Sequence, residues 1–402
     1  MKILLLGSLV SQEAMEQLNN AGKVKASVAP VNYETMLAKG LQENGAQIEA
    51  LSVPAVAAWP GNRQWWMRPR REELPGGIAV RWIPFINVQI LKQWTVQWHT
   101  RRMLKKWLKE NRHVQDKAVL MYSIYPPYSA PAIRLCRRYG CHLSTVIADL
   151  PEYMYSWKKL RGPKGWYTKY LSDRMLRLQG ACDSYVLFTE KMAARIGVAD
   201  KPYIVSEGFG DVSLYDAVPP SSKRTPKTIV YAGNLSRLYG IRALVDGFML
   251  MKGDYELHLY GAGGDAEYIK EKAKEDARIR FFGRVARTEI LQALTQAQLI
   301  AINKPTADDY SNYSFSSKIL ECMASGTPVL TTRVGGMPPE YYNYVYFIED
   351  ETPAGIAAAM QTALERSEQE LADFGAAARM FVEREKNYRY MTERILTFLQ
   401  NQ

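Results

Sequence analysis

The sequence predicts an α/β protein of two Rossmann-like domains facing a cleft. Short β-branched runs alternate with helical stretches along the whole chain, which is the pattern of parallel sheets with crossover helices. The alternation stops at a Gly/Pro/Ser-rich break after residue 207 and restarts beyond it, with a strand running into a glycine turn. A length of 402 residues suits two such domains. Hydrophobic residues at 47% and charged residues at 23% supply two cores and exclude global disorder.

In the first half, strands are expected at Lys2–Gly7, Gln47–Val53, Ile78–Ile83, Ala118–Ile124, Leu143–Asp149, Ser184–Thr189 and Tyr203–Glu207, each a β-rich run closed by turn formers. Helical spacing is read over Tyr33–Glu43, Leu91–Asn111 and Tyr128–Arg138. Gly208, Gly210, Pro219, Pro220, Ser221, Ser222 and Pro226 mark residues 208–227 as a linker, so the first domain spans 1–207. In the second half, strands are expected at Thr228–Ala232, Glu256–Tyr260, Ile279–Phe282, Leu299–Asn303, Pro328–Thr332 and Tyr344–Ile348. Helices fall between them at Ile241–Met251, Ala266–Asp276, Arg287–Ala297 and Ser316–Ala324. This second domain spans 228–385, and residues 386–402 form a closing helix with Tyr388, Met391, Ile395 and Phe398 at helical spacing.

Several function classes fall away on composition. No uncharged stretch is long enough for a bilayer span, since the best candidate, Ala118 to Ile133, is broken by Pro126, Pro127 and Pro131. The first seven residues read as a strand rather than a signal peptide. Cys136, Cys141, Cys182 and Cys322 form no CxxC pair and no disulfide framework, which suits a reducing cytosol. No metal site is expected, and Asp308-Asp309 reads as solvated loop rather than a metal-binding Asp-x-Asp.

The richest motif runs from Tyr313 to Val329. Ser316 and Ser317 suit a helix N-cap, and a helix N-terminus presents free N–H groups and a positive dipole to a phosphate. Lys318 puts a cation in the first turn, unfavourable for the helix unless an anion arrives. Glu321, one turn in, can accept hydrogen bonds from a sugar diol. An ordinary αβ unit with a solvated lysine fits the same periodicity. Three strand ends add glycine turns: Gly233-Asn234 with Arg237 and Gly240 after the first strand, Gly261-Ala262-Gly263 after the second, and Gly283-Arg284-Val285 after the third. Such ends gather at one crevice of a parallel sheet, where ligands bind.

These residues resemble the donor domain of retaining glycosyltransferases of family 4, which have the GT-B fold. The resemblance runs from about Thr228 to Ile348 and is most specific over Phe315–Val329 and Gly335-Gly336-Met337-Pro338-Pro339-Glu340. It implies a nucleotide-diphosphate sugar as donor, with Glu321 on the ribose and backbone N–H groups at Ser316 and Ser317 on the diphosphate. It also implies Arg284 and Val285 near the base, with Gly233, Asn234, Gly261 and Gly263 lining the donor site. Where the family has a first glutamate and an Arg and a Lys, this chain has Tyr313, Asn234 and Tyr239; Arg237 and Lys318 are the nearest cations for the leaving diphosphate. The implied reaction needs no cofactor or metal, retains the anomeric configuration, and is similar to bacterial surface-polysaccharide synthesis with a lipid-linked acceptor. The closing helix is expected to cross back to the first domain. Asp149 is the candidate acceptor-side catalytic residue, beside Lys318 and Arg237, although Asp before Leu-Pro is also a good turn former. Another GT-B enzyme, such as a nucleotide-sugar epimerase, is the alternative.

The net charge of +11 is concentrated. Between Ala58 and His113 stand twelve Lys/Arg against three acids, together with seven of the nine tryptophans. On a helix over Leu91–Asn111, Trp94, Trp98, Arg101, Lys105 and Leu108 share one side. Tryptophans among snorkelling cations suit an anionic membrane interface, so Trp65, Trp66, Trp94, Trp98, Arg101, Arg102, Lys105 and Lys106 are expected to face one. The expectation is a peripheral protein on the cytoplasmic face of the cell membrane. A basic single-strand-binding surface is the rival reading, though no nucleic-acid motif accompanies it.

Overall fold

The computed structural model describes residues 1–23, 28–154, 162–219 and 227–402. The chain divides into two compact units: Met1–Glu207 with Tyr388–Gln402, and Gly208–Asn387.

The first unit runs β1 (Lys2–Gly7), α1 (Gln12–Asn20), α2 (Val28–Glu43), β2 (Gln47–Ser52), β3 (Trp66–Met67), β4 (Arg71–Leu74), β5 (Ile78–Trp82) and β6 (Phe85–Ile86). It continues through α3 (Gln89–Glu110), β7 (Lys117–Tyr122), α4 (Pro126–Tyr139), β8 (His142–Ile147), α5 (Pro151–Met154), α6 (Gly162–Gln179), β9 (Ser184–Leu187), α7 (Lys191–Arg195) and β10 (Tyr203–Val205). Its main sheet has the order β10-β9-β8-β7-β1-β2-β5-β4. Every pairing in it is parallel except β4 with β5, a hairpin closed at Pro75-Gly76-Gly77. Strand β1 is buried along almost its whole length, as befits a strand covered on both faces. The order reverses between β1 and β7, so that pair is the switch point of this sheet.

The second unit runs β11 (Lys227–Asn234), α8 (Ile241–Leu250), β12 (Tyr255–Ala262), α9 (Ala266–Glu275), β13 (Ile279–Gly283), α10 (Arg287–Gln296) and β14 (Leu299–Ile302). It continues through α11 (Ser317–Ala324), β15 (Val329–Thr332), β16 (Tyr346–Ile348), α12 (Pro353–Leu364) and α13 (Glu368–Glu385). The sheet, β13-β12-β11-β14-β15-β16, is parallel throughout and reverses between β11 and β14. One core under it holds Val230, Tyr260, Phe315, Ile319, Leu320 and Met323. The other, above it, holds Ile229, Leu244, Phe248, Leu257 and Met360.

The final helix, α14 (Tyr388–Gln400), belongs to the first unit and lies on α2. The Asn44 amide donates to the Arg389 carbonyl at 2.8 Å, and the Arg389 guanidinium meets Glu43 at 2.6 Å. The buried side is Met391, Thr392, Ile395, Leu396 and Leu399, and Phe398 is only half-buried.

The expected linker needs correction over its first half. Phe209 and Tyr215 are buried, and the Tyr215 hydroxyl donates to the Glu321 carbonyl at 2.8 Å, so this stretch is built into the second unit. The Gly210 N–H donates to the Lys386 carbonyl at 2.7 Å, and Gly210 pairs with Asn387, which joins the entry and exit of that unit side by side. The expected linker residues Pro220, Ser221, Ser222 and Pro226 lie outside the described residues.

Candidate functional site

The carboxyl end of the second sheet collects cations. Ser316 occupies the N-cap position of α11 without a side-chain capping bond, and Ile319, Leu320 and Met323 of that helix are fully buried, each contributing about 1.5–3 kcal/mol and fixing the helix against the sheet. From that anchored first turn the Lys318 ammonium donates to the Ala232 carbonyl at 2.5 Å, at the end of β11. Lys304 lies just beyond β14, the other strand of the switch point. Its ammonium meets the Ser314 hydroxyl and stands 4.5 Å over the Tyr310 ring. Two ammonium groups therefore flank the β11/β14 junction. Lys304 escaped the sequence reading, although a lysine directly after a central strand was visible there.

The remaining expected donor residues lie at the ends of β11, β12 and β13 and in the turns after them, in the turn before α11 and on α11 itself. Ser317 is exposed at the start of α11 and Ser316 is half-buried. Glu321 faces α10, where Arg287 approaches its carboxylate at 3.5 Å. Arg237 and Asn234 are exposed, Arg237 on a 3-10 turn that ends at Gly240. Tyr313 ends another 3-10 turn, Asp309–Tyr313. The Gly336 N–H, from the loop after β15, donates to the Ser311 carbonyl at 3.1 Å and braces that turn. Arg284 is exposed beyond β13, and Val285 packs on the lower core. Gly261 and Gly263 serve the backbone first. A Cβ on Gly263 would stand 2.0 Å from the Leu235 carbonyl oxygen, and one on Gly261 would stand 1.9 Å from that of Gly233. Their bareness lets the β11 and β12 turns interlock, with the Leu235 N–H on the Ala262 carbonyl at 3.1 Å. Among the described residues no group of three His, Cys, Asp or Glu comes together.

The switch point of the first sheet is filled differently. The Glu34 carboxyl, from α2, accepts the Ser8 N–H at 2.8 and 3.1 Å and the Ser8 hydroxyl at 2.5 Å. Gly7 admits it, since a Cβ there would lie 2.1 Å from a Glu34 oxygen. Burial pushes the Glu34 carboxyl up to about 7, against the opposing pull of the Ser8 hydrogen bonds. Tyr122, at the end of β7, is held well above the usual phenol range by burial and then by the charges of Glu34 and Asp149. Asp149 is exposed just past β8, on the same edge. In this sheet the first turn's donors are already met from within.

The basic tryptophan segment forms several environments. Trp94 and Trp98 are exposed on α3, as are Arg101, Arg102, Lys105 and Lys106; Trp65 is exposed and Trp66 half-buried in β3. Leu108 departs from the expected stripe and enters the core with Val96, Leu104 and Trp107. Lys92 also turns inward, donating to the Val56 carbonyl at 2.7 Å, and burial lowers its pKa to about 8. Arg81 and Arg70 are engaged by Glu49 and Glu72.

Two Rossmann-like α/β units with parallel sheets constitute the GT-B fold, and comparison with solved structures agrees. The structure described as trehalose-6-phosphate from E. coli bound with UDP-2-fluoro glucose superposes with a TM-score of 0.63 at 10% identity, over 100% of this chain and 99% of that one. HepE of Anabaena in complex with UDP gives 0.60 at 15% identity over the whole of both chains. The lipopolysaccharide outer core galactosyltransferase WaaB, in its apo form, gives 0.60 at 14% identity over 98% of each. Residues 226–366, all within the second unit, match the family model of glycosyl transferases group 1. A D-inositol 3-phosphate glycosyltransferase of Corynebacterium glutamicum (strain R) is 27% identical over 161 residues, 35% of this chain. The chain spans about a third of that relative's length, 37%.

Proposed function

We propose that the protein is a glycosyltransferase that moves a sugar from a nucleotide-diphosphate donor, held on the second unit, to an acceptor hydroxyl. The observation that carries this reading is the contrast between the two switch points. The Lys318 and Lys304 ammonium groups flank one, and the Glu34 carboxyl fills the other. The diphosphate belongs with the cations. Backbone N–H groups at Ser316 and Ser317 would hold it, with Glu321 on the ribose and Arg237 closing from the β11 turn. Group 1 similarity over residues 226–366 supports the same assignment.

In the reaction, the bond from the anomeric carbon to the diphosphate oxygen breaks as the acceptor oxygen bonds to that carbon. The departing diphosphate carries the electron pair, and Lys318, Lys304 and Arg237 neutralise its charge. A diphosphate oxygen accepts the acceptor's proton on the same face, giving retention without a metal. Asp149 lies on the acceptor side. The acceptor is a lipid-linked glycan, and the exposed rings and cations of α3 bring the protein to an anionic membrane surface as a peripheral protein.

A thermal-shift panel of UDP, GDP, dTDP and CMP with their sugars tests the donor site. A nucleotide at about a hundredfold over its dissociation constant should stabilise the chain by roughly 2.7 kcal/mol. If no nucleotide in the panel raises the melting temperature, the donor assignment falls.

A further inference from the structure

Outside the expected membrane segment, α6 carries a second exposed aromatic pair. Trp166 is 71% exposed, comparable with Trp94 at 74%, and its ring stacks on Tyr170 at 6.2 Å with an interplanar angle of 16°. A large apolar side chain left in water forgoes about 1.5–3 kcal/mol of burial, so two such sites in one unit call for a common occupant.

The two helices are tied at one level. The Arg174 guanidinium of α6 donates to the Gln97 side chain of α3 at 2.8 Å. Trp94 lies three residues before Gln97, and Tyr170 lies four before Arg174. Each is thus one turn, about 5.4 Å, from the tie on the same side of its helix. Leu91 and Trp166 follow one turn further, and Leu91 is also exposed. Both turns point the same way. Helix α3, after the short β6, lies on the crossover from β5 to β7, and α6 lies on that from β8 to β9, strands that are parallel in one sheet. A crossover helix begins at the carboxyl edge of its sheet. The rings on α3 and α6 therefore lie toward that edge, the one that also presents Ser8 and Asp149. Behind the α3 rings come the exposed cations Arg101, Arg102, Lys105 and Lys106, with Arg102 5.8 Å from the Trp98 ring.

The geometry points to a two-helix docking edge for an anionic phospholipid bilayer. Trp94 and Trp98 of α3 and Trp166 and Tyr170 of α6 enter the headgroup region together, and the α3 cations meet lipid phosphates behind them. The charge complementarity selects an anionic surface over a neutral apolar partner. This inference rests on the membrane reading proposed above and adds its orientation: the carboxyl edge of the first sheet faces the lipid, so Asp149 works close to the headgroups.

The test places an environment-sensitive fluorophore at Trp94→Cys, Trp166→Cys or Lys109→Cys in the full chain; the native cysteines are buried. Vesicles of equal parts phosphatidylglycerol and phosphatidylcholine are then added. The labels at 94 and 166 should both brighten and shift to the blue, and the label at 109 should change little. A response at 94 with silence at 166 overturns the two-helix edge and leaves the membrane reading standing. No sedimentation of the unlabelled chain with these vesicles overturns both. A Trp166→Ala/Tyr170→Ala variant should lose vesicle affinity severalfold while keeping its nucleotide response, and unchanged vesicle affinity overturns the inference.

Discussion

Lys318 holds its place in the first turn of α11 at some cost to its own helix. A cation in the first turn opposes the dipole by about 0.3–1 kcal/mol, and the Ala232 carbonyl offsets part of that by accepting from the ammonium. Replacing Lys318 or Lys304 with Ala should remove a charge-assisted contact of roughly 1.5–3 kcal/mol, weakening nucleotide-diphosphate binding by about tenfold to a hundredfold. Calorimetric titration with the nucleotide that gives the largest thermal shift measures this, and wild-type affinity in both variants would displace the diphosphate from the β11/β14 junction. Glu34 has the opposite character. Its carboxyl titrates near 7 in the folded chain against an ordinary value of 4.5, so the folded state holds a proton that the unfolded chain has lost. Stability from this group is therefore full below about pH 4.5 and is lost as pH rises to about 7, a change on the order of 3 kcal/mol. Urea midpoints across that window should fall with pH for the wild type and much less for Glu34→Gln; equal slopes would put Glu34 at an ordinary pKa.

At the level of elements, the interlocked turns after β11 and β12 set how closely the donor-side strand ends approach. Gly263→Ala should drive a methyl into the Leu235 carbonyl and cost on the order of 1–3 kcal/mol, read as a lower melting temperature together with weaker nucleotide binding. Loss of neither would mean that the turn relaxes freely. The parallel strands of both sheets were legible in the sequence because a buried parallel strand is a continuous apolar run bounded by turns, and their ends shift by only a residue or two. Helices α12 and α13 were not read, although Ser367 and Glu370 form a capping box and Pro353 sits in the first turn after Thr352. Their alanine-rich and charged faces blur the apolar stripe. The hairpin strand β4 was hidden within a run of arginines, where charge outweighed the period-two pattern. The cluster around α11 could be read because the motif is local. The role of Glu34 could not, because it depends on a contact across 26 positions that only folding creates.

Over the whole molecule the uneven charge becomes a surface property. Each exposed Lys or Arg near an anionic leaflet contributes about 1 kcal/mol, and Lys92, Arg81 and Arg70 drop out because the fold uses them internally. Exchanging Arg101, Arg102, Lys105 and Lys106 for Gln should sharply reduce sedimentation with anionic vesicles while nucleotide binding stays as before. Equal partitioning to neutral and anionic vesicles by the wild type would assign this face to something else. The second unit, for its part, is a single uninterrupted stretch whose first and last residues meet at Gly210 and Asn387. A segment that leaves and returns through one doorway can be cut out or exchanged as a cassette, with both splice points side by side on the backbone. Expressed alone, residues 208–387 should unfold cooperatively and retain the nucleotide preference of the full chain. Under the proposed function, exchanging this one block carries donor choice from chain to chain, while the first unit and its basic, aromatic surface stay with the host.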